Sequence, residues 1–424
     1  MKIAVIGSGI SGISVSWLLS QKYQIDCYEK NNYIGGHSNT VEIKYNDKEI
    51  AVDTGFIVFN HRTYPNLTNF FKHLNVATHP SKMSFASSIN DGEFEFSGKS
   101  FSGLFSQIKN FFNYKFWLML RDIIRFNKIA ILEVENNQDI TIGKFLEQKK
   151  FGKYFVNFYL LPMIASIWSC DMKIAEIYPL KKLVTFFHNH GLLTISNQPQ
   201  WYSVIGGSKE YIKKITASFS GNIFINSEVI DISRCDDKLQ LKVMQNGLEK
   251  SELYDKIIFA NHGDEVFEIL KNYNQNLSNL FSNFTFQKNI AVLHRDKSMM
   301  PINENSWSSW NFVGNYPYQD SIINSSFTYW MNNLQNIDNQ FPLFVTLNPL
   351  KKIDQSKVFA SFVYNHPVYN NASIKAQEQV EKIQGFDNIY YCGAYLGNGF
   401  HEDGLVSAIK VANQLGVSVP WQNS

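Results

Sequence analysis

The chain has 424 residues, more than one hydrophobic core usually serves, so we expect two structural lobes. Hydrophobic residues make up 44% of the sequence and charged residues 18%, which excludes an intrinsically disordered protein. The formal net charge is +2, so nothing indicates a nucleic-acid partner. The four cysteines have no CxxC spacing, which is typical of reduced thiols and argues against a zinc site or a disulfide framework.

The first residues predict a βαβ unit. Residues 2–6 (KIAVI) form a short apolar run of the kind that makes a strand buried on both faces. A glycine-rich turn follows, apolar residues then recur at helical spacing as far as Leu19, and residues 24–29 (QIDCYE) predict the second strand. We find neither the basic leader of a signal peptide nor an apolar stretch long enough to span a membrane, so we expect a cytoplasmic protein.

Further elements follow along the chain. Residues 50–60 predict a strand and a turn, and residues 65–193 are predicted to be mostly helical, most clearly between 102 and 134. Strands are then predicted at 201–207, 222–232, 239–245, 256–260, 289–294, 344–347 and 388–392, with helices at 210–219 and 404–415. No repeat or low-complexity linker separates the lobes, so we expect them to interleave along the chain.

The glycine-rich turn carries the strongest motif, Gly7-x-Gly9-x-x-Gly12. The first glycine permits a tight turn, the second lets the backbone approach a pyrophosphate, and the third lets the helix pack on the sheet. The helix N terminus offers N–H groups to phosphates, and Ser11 adds a hydroxyl. Glu29, at the end of the second strand, is placed to accept hydrogen bonds from an adenosine ribose. This context predicts a dinucleotide site rather than a glycine turn without a nucleotide.

Two features favour FAD over NAD. A second glycine pair, Gly35 and Gly36, follows Glu29 in a loop that can pass close to the cofactor. Residues 393–404 (GAYLGNGFHEDG) form a glycine-rich turn before a helix, whose positive end could face the flavin edge that becomes negative on reduction. An ordinary strand–turn–helix capped by Asp403 is the alternative for this segment.

The segments AVIGSGISG, YIGGHSNTV, VDTGFIVFNHRTYPNL, LLPMIASIWS, SVIGGSKEYI and YYCGAYLGNGFHEDGL carry a family resemblance. The chain resembles the flavin-containing amine oxidase superfamily, which includes protoporphyrinogen oxidase and the phytoene desaturases. It is most similar to a bacterial group of predicted NAD/FAD-binding proteins. The resemblance implies an α/β fold, with a Rossmann-type FAD-binding domain and an inserted mixed α+β substrate lobe. The implied FAD-binding domain comprises residues 1–75, 200–262 and 380–424, and the substrate lobe comprises residues 76–199 and 263–379.

The resemblance also implies cofactor contacts. Val229 would contact the adenine through its backbone, while Asp53 and its neighbours would lie near the isoalloxazine ring. With the motif residues, the expected set for noncovalent FAD is Gly7, Gly9, Ser11, Gly12, Glu29, Lys30, Gly35, Gly36, His37, Gly55, Phe56, Val229, Gly393, Glu402, Asp403 and Leu405.

The chain also departs from the family pattern. His37 stands where the superfamily usually has arginine after the glycine pair. Amine oxidases commonly place a lysine near flavin N5, and Lys288, the nearest candidate here, fits poorly. An amine substrate is therefore in doubt.

Because flavin itself accepts the hydride, few catalytic residues are required. The catalytic candidates are Asn60, Tyr64 and His401, the last in the turn expected beside the flavin. Arg62 is expected to form a structural salt bridge. The histidines at 188 and 190 fit core positions better than a metal pair, since no carboxylate or thiol cluster stands near them in sequence, so we expect no metal.

The inserted lobe is rich in aromatic and aliphatic residues, which favours a small hydrophobic substrate. Residues 102–134 mix these with lysine and arginine, and could form an interfacial helix in peripheral contact with the inner face of the membrane. We favour an ordinary packed helix. The leading hypothesis is dehydrogenation or isomerisation of a lipid acyl chain. The alternatives are a flavin amine oxidase acting on a small amine, and a flavin-dependent isomerase or non-redox flavoprotein. The sequence identifies no electron acceptor.

Overall fold

The computed structural model describes residues 1–136, 140–194, 198–315 and 324–421. The strands are β1 (Lys2–Ile6), β2 (Gln24–Tyr28), β3 (Thr40–Tyr45), β4 (Lys48–Asp53), β5 (Phe59–Asn60), β6 (Thr78–Ser81), β7 (Phe85–Ile89), β8 (Phe94–Ser97), β9 (Trp201–Val204), β10 (Asn222–Phe224), β11 (Ser227–Cys235), β12 (Lys238–Gln245), β13 (Leu248–Tyr254), β14 (Lys256–Phe259), β15 (Thr285–His294), β16 (Trp310–Asn315), β17 (Asn324–Trp330), β18 (Phe344–Leu347), β19 (Val358–Val368) and β20 (Ile389–Tyr391). The helices are α1 (Ile10–Leu19), α2 (Pro65–His73), α3 (Phe101–Leu104), α4 (Lys109–Phe112), α5 (Tyr114–Asn136), α6 (Ile142–Gln148), α7 (Lys153–Phe155), α8 (Leu161–Trp168), α9 (Met172–Ile177), α10 (Leu180–Asn189), α11 (Lys209–Ser218), α12 (Gly263–Leu270), α13 (Gln275–Phe281), α14 (Met331–Leu334), α15 (Asn371–Lys382) and α16 (His401–Gln414).

A parallel five-stranded sheet lies at the centre of the first lobe, in the order β10-β2-β1-β14-β20. Alternate residues of β1 enter different cores. Ile3 and Val5 pack with α1 and α16, whereas Ala4 and Ile6 pack with α12, α13 and α15. Helices therefore cover one face of the sheet, while the antiparallel sheet β11-β12-β13 and helices α12, α13 and α15 cover the other, which explains why the predicted strand is almost entirely apolar.

A seven-stranded sheet forms the second lobe, in the order β19-β15-β18-β17-β16-β7-β8. Its neighbouring strands are antiparallel except for the parallel pair β16–β7, so the sheet is mixed. A large apolar core joins this sheet to helices α5–α10. The architecture is thus a helix-covered parallel sheet with an inserted lobe of mixed sheet and helices.

Helices α12, α13 and α15 pack on the parallel sheet, through residues such as Val266, Phe281 and Val380. The predicted boundaries assign residues 263–379 to the substrate lobe. The physical reason for the difference is that β1 and β14 are apolar on both faces, and these helices cover part of the second face.

Strands β6, β7 and β8 lie within residues 65–193, so the prediction of a mostly helical segment is wrong for residues 78–97. A hairpin turn with positive φ angles at Asn90, Asp91 and Gly92 connects β7 to β8. An Asp-Gly pair is typical of a β-hairpin turn, but the spacing of the apolar residues around it favoured a helix in the prediction. The tight turn folds this segment into a strand pair at the edge of the mixed sheet.

Residues 101–136 contain three helices, α3, α4 and α5, rather than one. Asn113, with extended backbone angles (φ −90°, ψ 108°), separates α4 from α5. The predicted strand at 222–232 is likewise divided, because Asn226 takes a positive φ of 49° and β10 and β11 then join different sheets. The last helix begins at His401, three residues before the predicted start.

The buried carboxylate of Asp53 connects several elements. Its Oδ1 accepts hydrogen bonds from Thr40 Oγ1 (2.6 Å) and from the backbone N–H and hydroxyl of Ser208 (both 2.8 Å). Its Oδ2 accepts one from Gln335 Nε2 (3.0 Å). Burial raises the pKa of Asp53 to about 6. Asp53 therefore joins the β3–β4 hairpin to α11 and to the inserted lobe, and it does not line the main cavity that is described below.

We predict that Asp53→Ala lowers the free energy of unfolding by about 3 kcal/mol, because it leaves several buried donors without an acceptor. Asp53→Asn retains one carbonyl oxygen as an acceptor, so it should lower the free energy of unfolding by only about 1–2 kcal/mol. Urea unfolding of the variants measures both effects. The exposed Asp47 provides the control, since Asp47→Ala should change stability by less than about 0.5 kcal/mol. Equal losses at positions 47 and 53 would contradict the connecting role of Asp53.

Candidate functional site

The turn between β1 and α1 brings two stretches of backbone into close contact. Gly7 has a φ of +97°, and a Cβ atom at position 12 would lie only 1.8 Å from the carbonyl oxygen of Gly7. Gly9 differs, because its φ is −61° and no atom lies within 4 Å of the place where its Cβ would be. Packing therefore requires glycine at position 12, whereas the space beside Gly9 belongs to a cavity.

The N terminus of α1 faces this cavity through Gly7–Ser11. No side chain caps the helix, and its first turn contains no acidic residue. All ten residues of α1 are buried, so a capping group must come from the cavity itself. An anion such as a phosphate suits the N–H groups and the positive end of the helix dipole.

Glu29 is buried at the end of β2 and lines the same cavity. One carboxylate oxygen accepts from the backbone N–H (3.0 Å) and hydroxyl (2.6 Å) of Ser8. The other accepts from the backbone N–H (2.9 Å) and side-chain amide (2.8 Å) of Asn31. A ribose hydroxyl would have to share these oxygens or replace the Asn31 amide. Sequence reasoning missed Ser8, whose position between two motif glycines was the available signal.

The second glycine pair lies directly against the first turn. Gly35 and Gly36 have φ values of +115° and +57°, and a Cβ at position 36 would approach the Cα of Gly9 to 3.1 Å. The N–H of Gly35 donates to the carbonyl oxygen of Ser8 at 3.1 Å. Gly55 is equally confined, since its Cβ would lie 2.2 Å from the carbonyl oxygen of His37. The turns at Gly7–Gly9, at Gly35–Gly36 and at Gly55 thus pack together and form one wall of the cavity.

The far end of this polar wall comes from β2, β11 and α12. Lys30 forms an ion pair with Glu265, and both side chains line the cavity. Glu228, Val229 and Ile230 line it as well, and the register of β11 against β12 shifts between Val229 and Asp231. At such a bulge, a residue next to Val229 is left out of the hydrogen-bonded pairing between β11 and β12.

His401 is the first residue of α16, and its ring stacks on Phe56 with centroids 3.7 Å apart. Ser38 Oγ and Tyr211 OH lie 2.9 and 3.3 Å from His401 Nε2. Burial lowers the pKa of His401 to about 3, so the ring is neutral at pH 7. His401 and Phe56 both line the cavity, and these neighbours hold the imidazole in place.

Two further histidines, His262 and His366, join His37 in the lining. The His37 ring centroid lies 5.4 Å from that of His366 and 6.2 Å from that of His262. Burial and the neighbouring imidazoles hold the pKa of His37 well below its usual range. His37 Nε2 and His262 Nδ1 are buried without a hydrogen-bond partner. The sequence indicated only His37, because the other two come from distant strand ends.

The cavity has a volume of about 1060 Å³ and two chemically different ends. The glycine turns, Glu29, Lys30 and Glu265 form the polar end. We call the aromatic and aliphatic part of the lining on the side of the inserted lobe the apolar end; all its members except Tyr64 and Ser169 belong to or pack against the core of that lobe, and they are Ile57, Val58, Tyr64, Ile167, Trp168, Ser169, Phe186, Trp201, Trp310, Tyr329, Leu347 and Phe400. Within the described residues, this end contains no Asp, Glu, Lys or Arg side chain.

The structure places six predicted site residues outside this lining, namely Gly12, Gly35, Asn60, Glu402, Asp403 and Leu405. Leu405 is fully buried in the core, and Asn60 Oδ1 accepts the N–H of Thr63 at 2.9 Å. Asp403 accepts the N–H of Phe400 at 3.0 Å, which caps α16. That capping is the alternative that the sequence left open for Asp403.

Glu402 was expected among the FAD contacts, and the structure shows its carboxylate capping α2. Its carboxylate accepts the backbone N–H groups of Asn66 and Leu67, each at 2.9 Å. The side-chain amide of Asn66 adds a third hydrogen bond at 2.8 Å. Because α2 begins with Pro65 and has no side-chain cap of its own, the carboxylate from α16 completes its N terminus.

A smaller cavity of about 350 Å³ adjoins the main one and shares Tyr64 and Phe400 with it. Arg62 and His190 also line it. Arg62 was expected to form a salt bridge, but it forms none with the described part of the chain. His190 stacks on Phe186 with centroids 3.8 Å apart, and burial lowers its pKa to about 4.

The described ranges contain no group of three or more His, Cys, Asp or Glu side chains arranged to hold a metal ion. Among the helices within those ranges, none has both the length and the apolar character needed to cross a bilayer.

Comparison with known proteins identifies the fold. Residues 5–74 match the NAD(P)-binding Rossmann-like domain. No curated protein matches the chain in sequence. Solved structures match nearly its whole length, among them three whose names give different substrates. These three are the CLA-producing fatty acid isomerase from P. acnes (12% identity, 98% of both chains, TM-score 0.67), putrescine oxidase bound to putrescine (12%, 98% of this chain and 99% of that chain, 0.66) and cyclohexylamine oxidase from Brevibacterium oxydans IH-35A (12%, 98% and 99%, 0.66).

These matches confirm the fold class and the resemblance predicted from the sequence. At such low identity they establish the fold and leave the substrate open. The chain contains an NAD(P)-binding Rossmann-like domain and has, along nearly its whole length, the fold of the flavin amine oxidase family.

Proposed function

We propose that the polar end of the main cavity binds FAD noncovalently. The uncapped N terminus of α1 and the open space beside Gly9 suit a pyrophosphate. Glu29 is placed for the adenosine ribose, with Val229 beside the adenine. A nicotinamide cofactor alone would leave the turn at Gly393 and the start of α16 without a role, although both line the same cavity. None of the described cysteines lines it, which supports noncovalent attachment.

When bound, the flavin accepts a hydride from the substrate. The chain's own residues bind and orient the two molecules and exclude water. The N terminus of α16, which begins at His401, would lie beside the flavin ring, and the capping carboxylate of Asp403 and the neighbouring Glu402 offset part of its positive dipole. The ring of His401, held against Phe56, keeps this part of the wall rigid and uncharged.

The substrate that this cavity favours is hydrophobic, and a fatty-acyl or other lipid chain is the best candidate. The observation that carries this proposal is the apolar end of the cavity, whose described lining lacks any charged side chain. Ring contacts connect Trp168, Phe186 and Phe400 into one wall, and Ile57, Ile167 and Leu347 add aliphatic surface. The reaction is then dehydrogenation or a related rearrangement of an alkyl chain.

The positions of the lysines weaken the amine oxidase alternative. Within the described lining, the only lysine is Lys30, which is paired with Glu265 at the polar end. Lys288, the candidate from the sequence, is exposed on β15 and lies outside the cavity lining. An amine cation at the apolar end would have aromatic faces to contact, whereas the carboxylates of Glu402 and Asp403 line the adjoining smaller cavity and already accept backbone N–H groups.

The structural neighbours include enzymes of both kinds. The P. acnes protein is a fatty acid isomerase, and the other two are a putrescine oxidase and a cyclohexylamine oxidase. Because the flavin amine oxidase fold serves several substrate classes, the lining must decide between them. The absence of charge at the apolar end favours the lipid-like substrate, with isomerisation as the closest alternative.

Anaerobic reduction distinguishes these functions. We expect the visible absorption bands of the purified flavoprotein to bleach when lipid extracts are added and to persist when a panel of amines is added. Bleaching by an amine would favour the amine oxidase. Oxidised flavin together with a changed lipid product, detected by mass spectrometry, would favour an isomerase. Purification without any flavin would contradict the proposal at its first step.

Gly9→Val tests the placement of the pyrophosphate. Since no atom lies within 4 Å of the added Cβ, the variant should fold normally but bind FAD about tenfold to a hundredfold more weakly. Gly98 is a matched control, because a Cβ there also meets no atom within 4 Å, although it lies away from the cavity. Equilibrium dialysis against FAD and thermal unfolding of the apoprotein are the measurements. Full FAD occupancy in Gly9→Val would contradict the proposed site.

A further inference from the structure

An exposed apolar group projects from the substrate lobe where α4 meets α5. It consists of Ile108, Phe111, Phe112, Tyr114, Trp117 and Leu118, which we call the apolar tip. Ile108 and Phe112 are 78% and 80% exposed, and Tyr114 is 68% exposed. The tip contains four of the five exposed aromatic side chains among the described residues. Single exposed apolar residues are ordinary, but such a cluster on a soluble surface marks an interaction site.

The backbone that presents the tip is firmly held. Trp117 Nε1 donates to the carbonyl oxygen of Phe111 at 2.8 Å, which ties α5 to α4. Asn110, the buried residue of α4, donates from its side-chain amide to the carbonyl oxygen of Glu95 at 2.9 Å. Gln107 donates to the carbonyl oxygen of Gly92 at 2.7 Å. The apolar side chains are therefore exposed by an ordered structure that is anchored to the β7–β8 hairpin.

Helix α5 has two distinct long faces. Its buried face contains Phe116, Met119, Phe126 and Ala130, which pack into the large core. Tyr114, Trp117, Leu118, Arg121, Ile124, Arg125 and Lys128 recur at spacings of three or four residues and lie on the other face. The expected ordinary helix would have a polar outer face, but this one is apolar near its start and basic further along.

The exposed charges on the segment that carries the tip have one sign, whereas the β7–β8 hairpin that anchors it also exposes Glu93 and Asp91, the latter paired with Lys351. Residues 108–128 contain five basic side chains, at 109, 115, 121, 125 and 128, and a single acidic one, Asp122. Asp122 is buried, and it accepts hydrogen bonds from Arg121 (3.2 Å) and from the N–H of Gly152 (3.0 Å). Lys109, Lys115, Arg121 and Lys128 are exposed. The surface of this segment is therefore cationic beside a protruding apolar cluster.

We infer that the apolar tip inserts into the surface of an anionic lipid bilayer, with the basic side chains of α4 and α5 at the headgroups. Aromatic residues at the level of the headgroups and flanking lysine or arginine are the features that interfacial helices use. The positive charge favours an anionic membrane over a second copy of this chain, since two copies would bring like charges together.

This inference extends the proposed function by naming the source of the substrate. The chain from Tyr154 to Trp168 leads from the tip region to the cavity through α7, a π-helical turn (Val156–Leu160) and α8. Tyr154 contacts Phe94 beside the tip, whereas Trp168 lines the cavity. At about 1.5 Å per residue, the two ends are roughly 20 Å apart. The membrane would therefore lie within an acyl chain's length of the cavity.

Vesicle binding tests the inference without depending on flavin chemistry, so it can fail independently of the proposed function. The full-length protein is sedimented with vesicles of phosphatidylcholine alone or mixed with phosphatidylglycerol. We expect binding to the anionic vesicles and roughly tenfold or greater weakening in Ile108→Ser/Phe112→Ser. Lys109→Glu/Lys115→Glu should lose the preference for anionic lipid. The matched control is Leu248→Ser/Phe386→Ser, which removes another exposed aliphatic and aromatic pair (67% and 58% exposed) elsewhere and should bind normally.

A second readout reports insertion directly. Brominated acyl chains should quench part of the tryptophan fluorescence, and Trp117→Phe should abolish that part, because Trp117 belongs to the tip. Thermal unfolding and size-exclusion chromatography with light scattering establish that each variant is folded and give its oligomeric state. Absence of vesicle binding by the unmodified protein, or equal loss in the control pair, would overturn the inference. A dimer that the tip variants convert to monomer, without vesicle binding, would identify the tip as a self-association surface instead.

Discussion

The close contact between Gly12 and the carbonyl of Gly7 is the constraint on which the first lobe depends. It allows α1 to lie directly against the parallel sheet, and all ten residues of the helix are buried as a result. Burial on every side leaves the helix N terminus facing only the cavity. The same packing that stabilises the fold thus creates a site for an anion, because the terminal N–H groups have no other partner.

The cavity forms because several distant stretches of chain meet at this turn. Asp53 fixes the β3–β4 hairpin to α11 and to Gln335 of the inserted lobe, so the two lobes share one buried hydrogen-bond network. The hairpin end then continues into Gly55 and Phe56, which form part of the wall. A substitution in the Asp53 hydrogen-bond network would therefore also alter the adjacent wall of the cavity.

Local patterns allowed the βαβ unit that lines the polar end of the cavity to be predicted from the sequence. Strand, glycine turn, helix and terminal acid follow each other within thirty residues, and each is specified by its own residue types. Features that join distant residues were not accessible. Glu402 reaches across 336 positions to cap α2 at Asn66, and no local signal distinguishes that role from cofactor binding. The β7–β8 hairpin was missed for a different reason, since its Asp91-Gly92 turn is a local signal that lay within an otherwise helical pattern.

The low polarity of the interior connects the histidines to the choice of substrate. Burial lowers the pKa of His366 and His190 to about 4 and that of His401 to about 3, so these rings are neutral at pH 7. A substrate that enters the apolar end meets the same low polarity, since that part of the described lining supplies no counter-charge. An ammonium group would lose its hydration there and regain only contacts with aromatic faces, whereas an alkyl chain would gain from leaving water. The low polarity that keeps the imidazoles uncharged is thus the same property on which the proposed hydrophobic substrate depends.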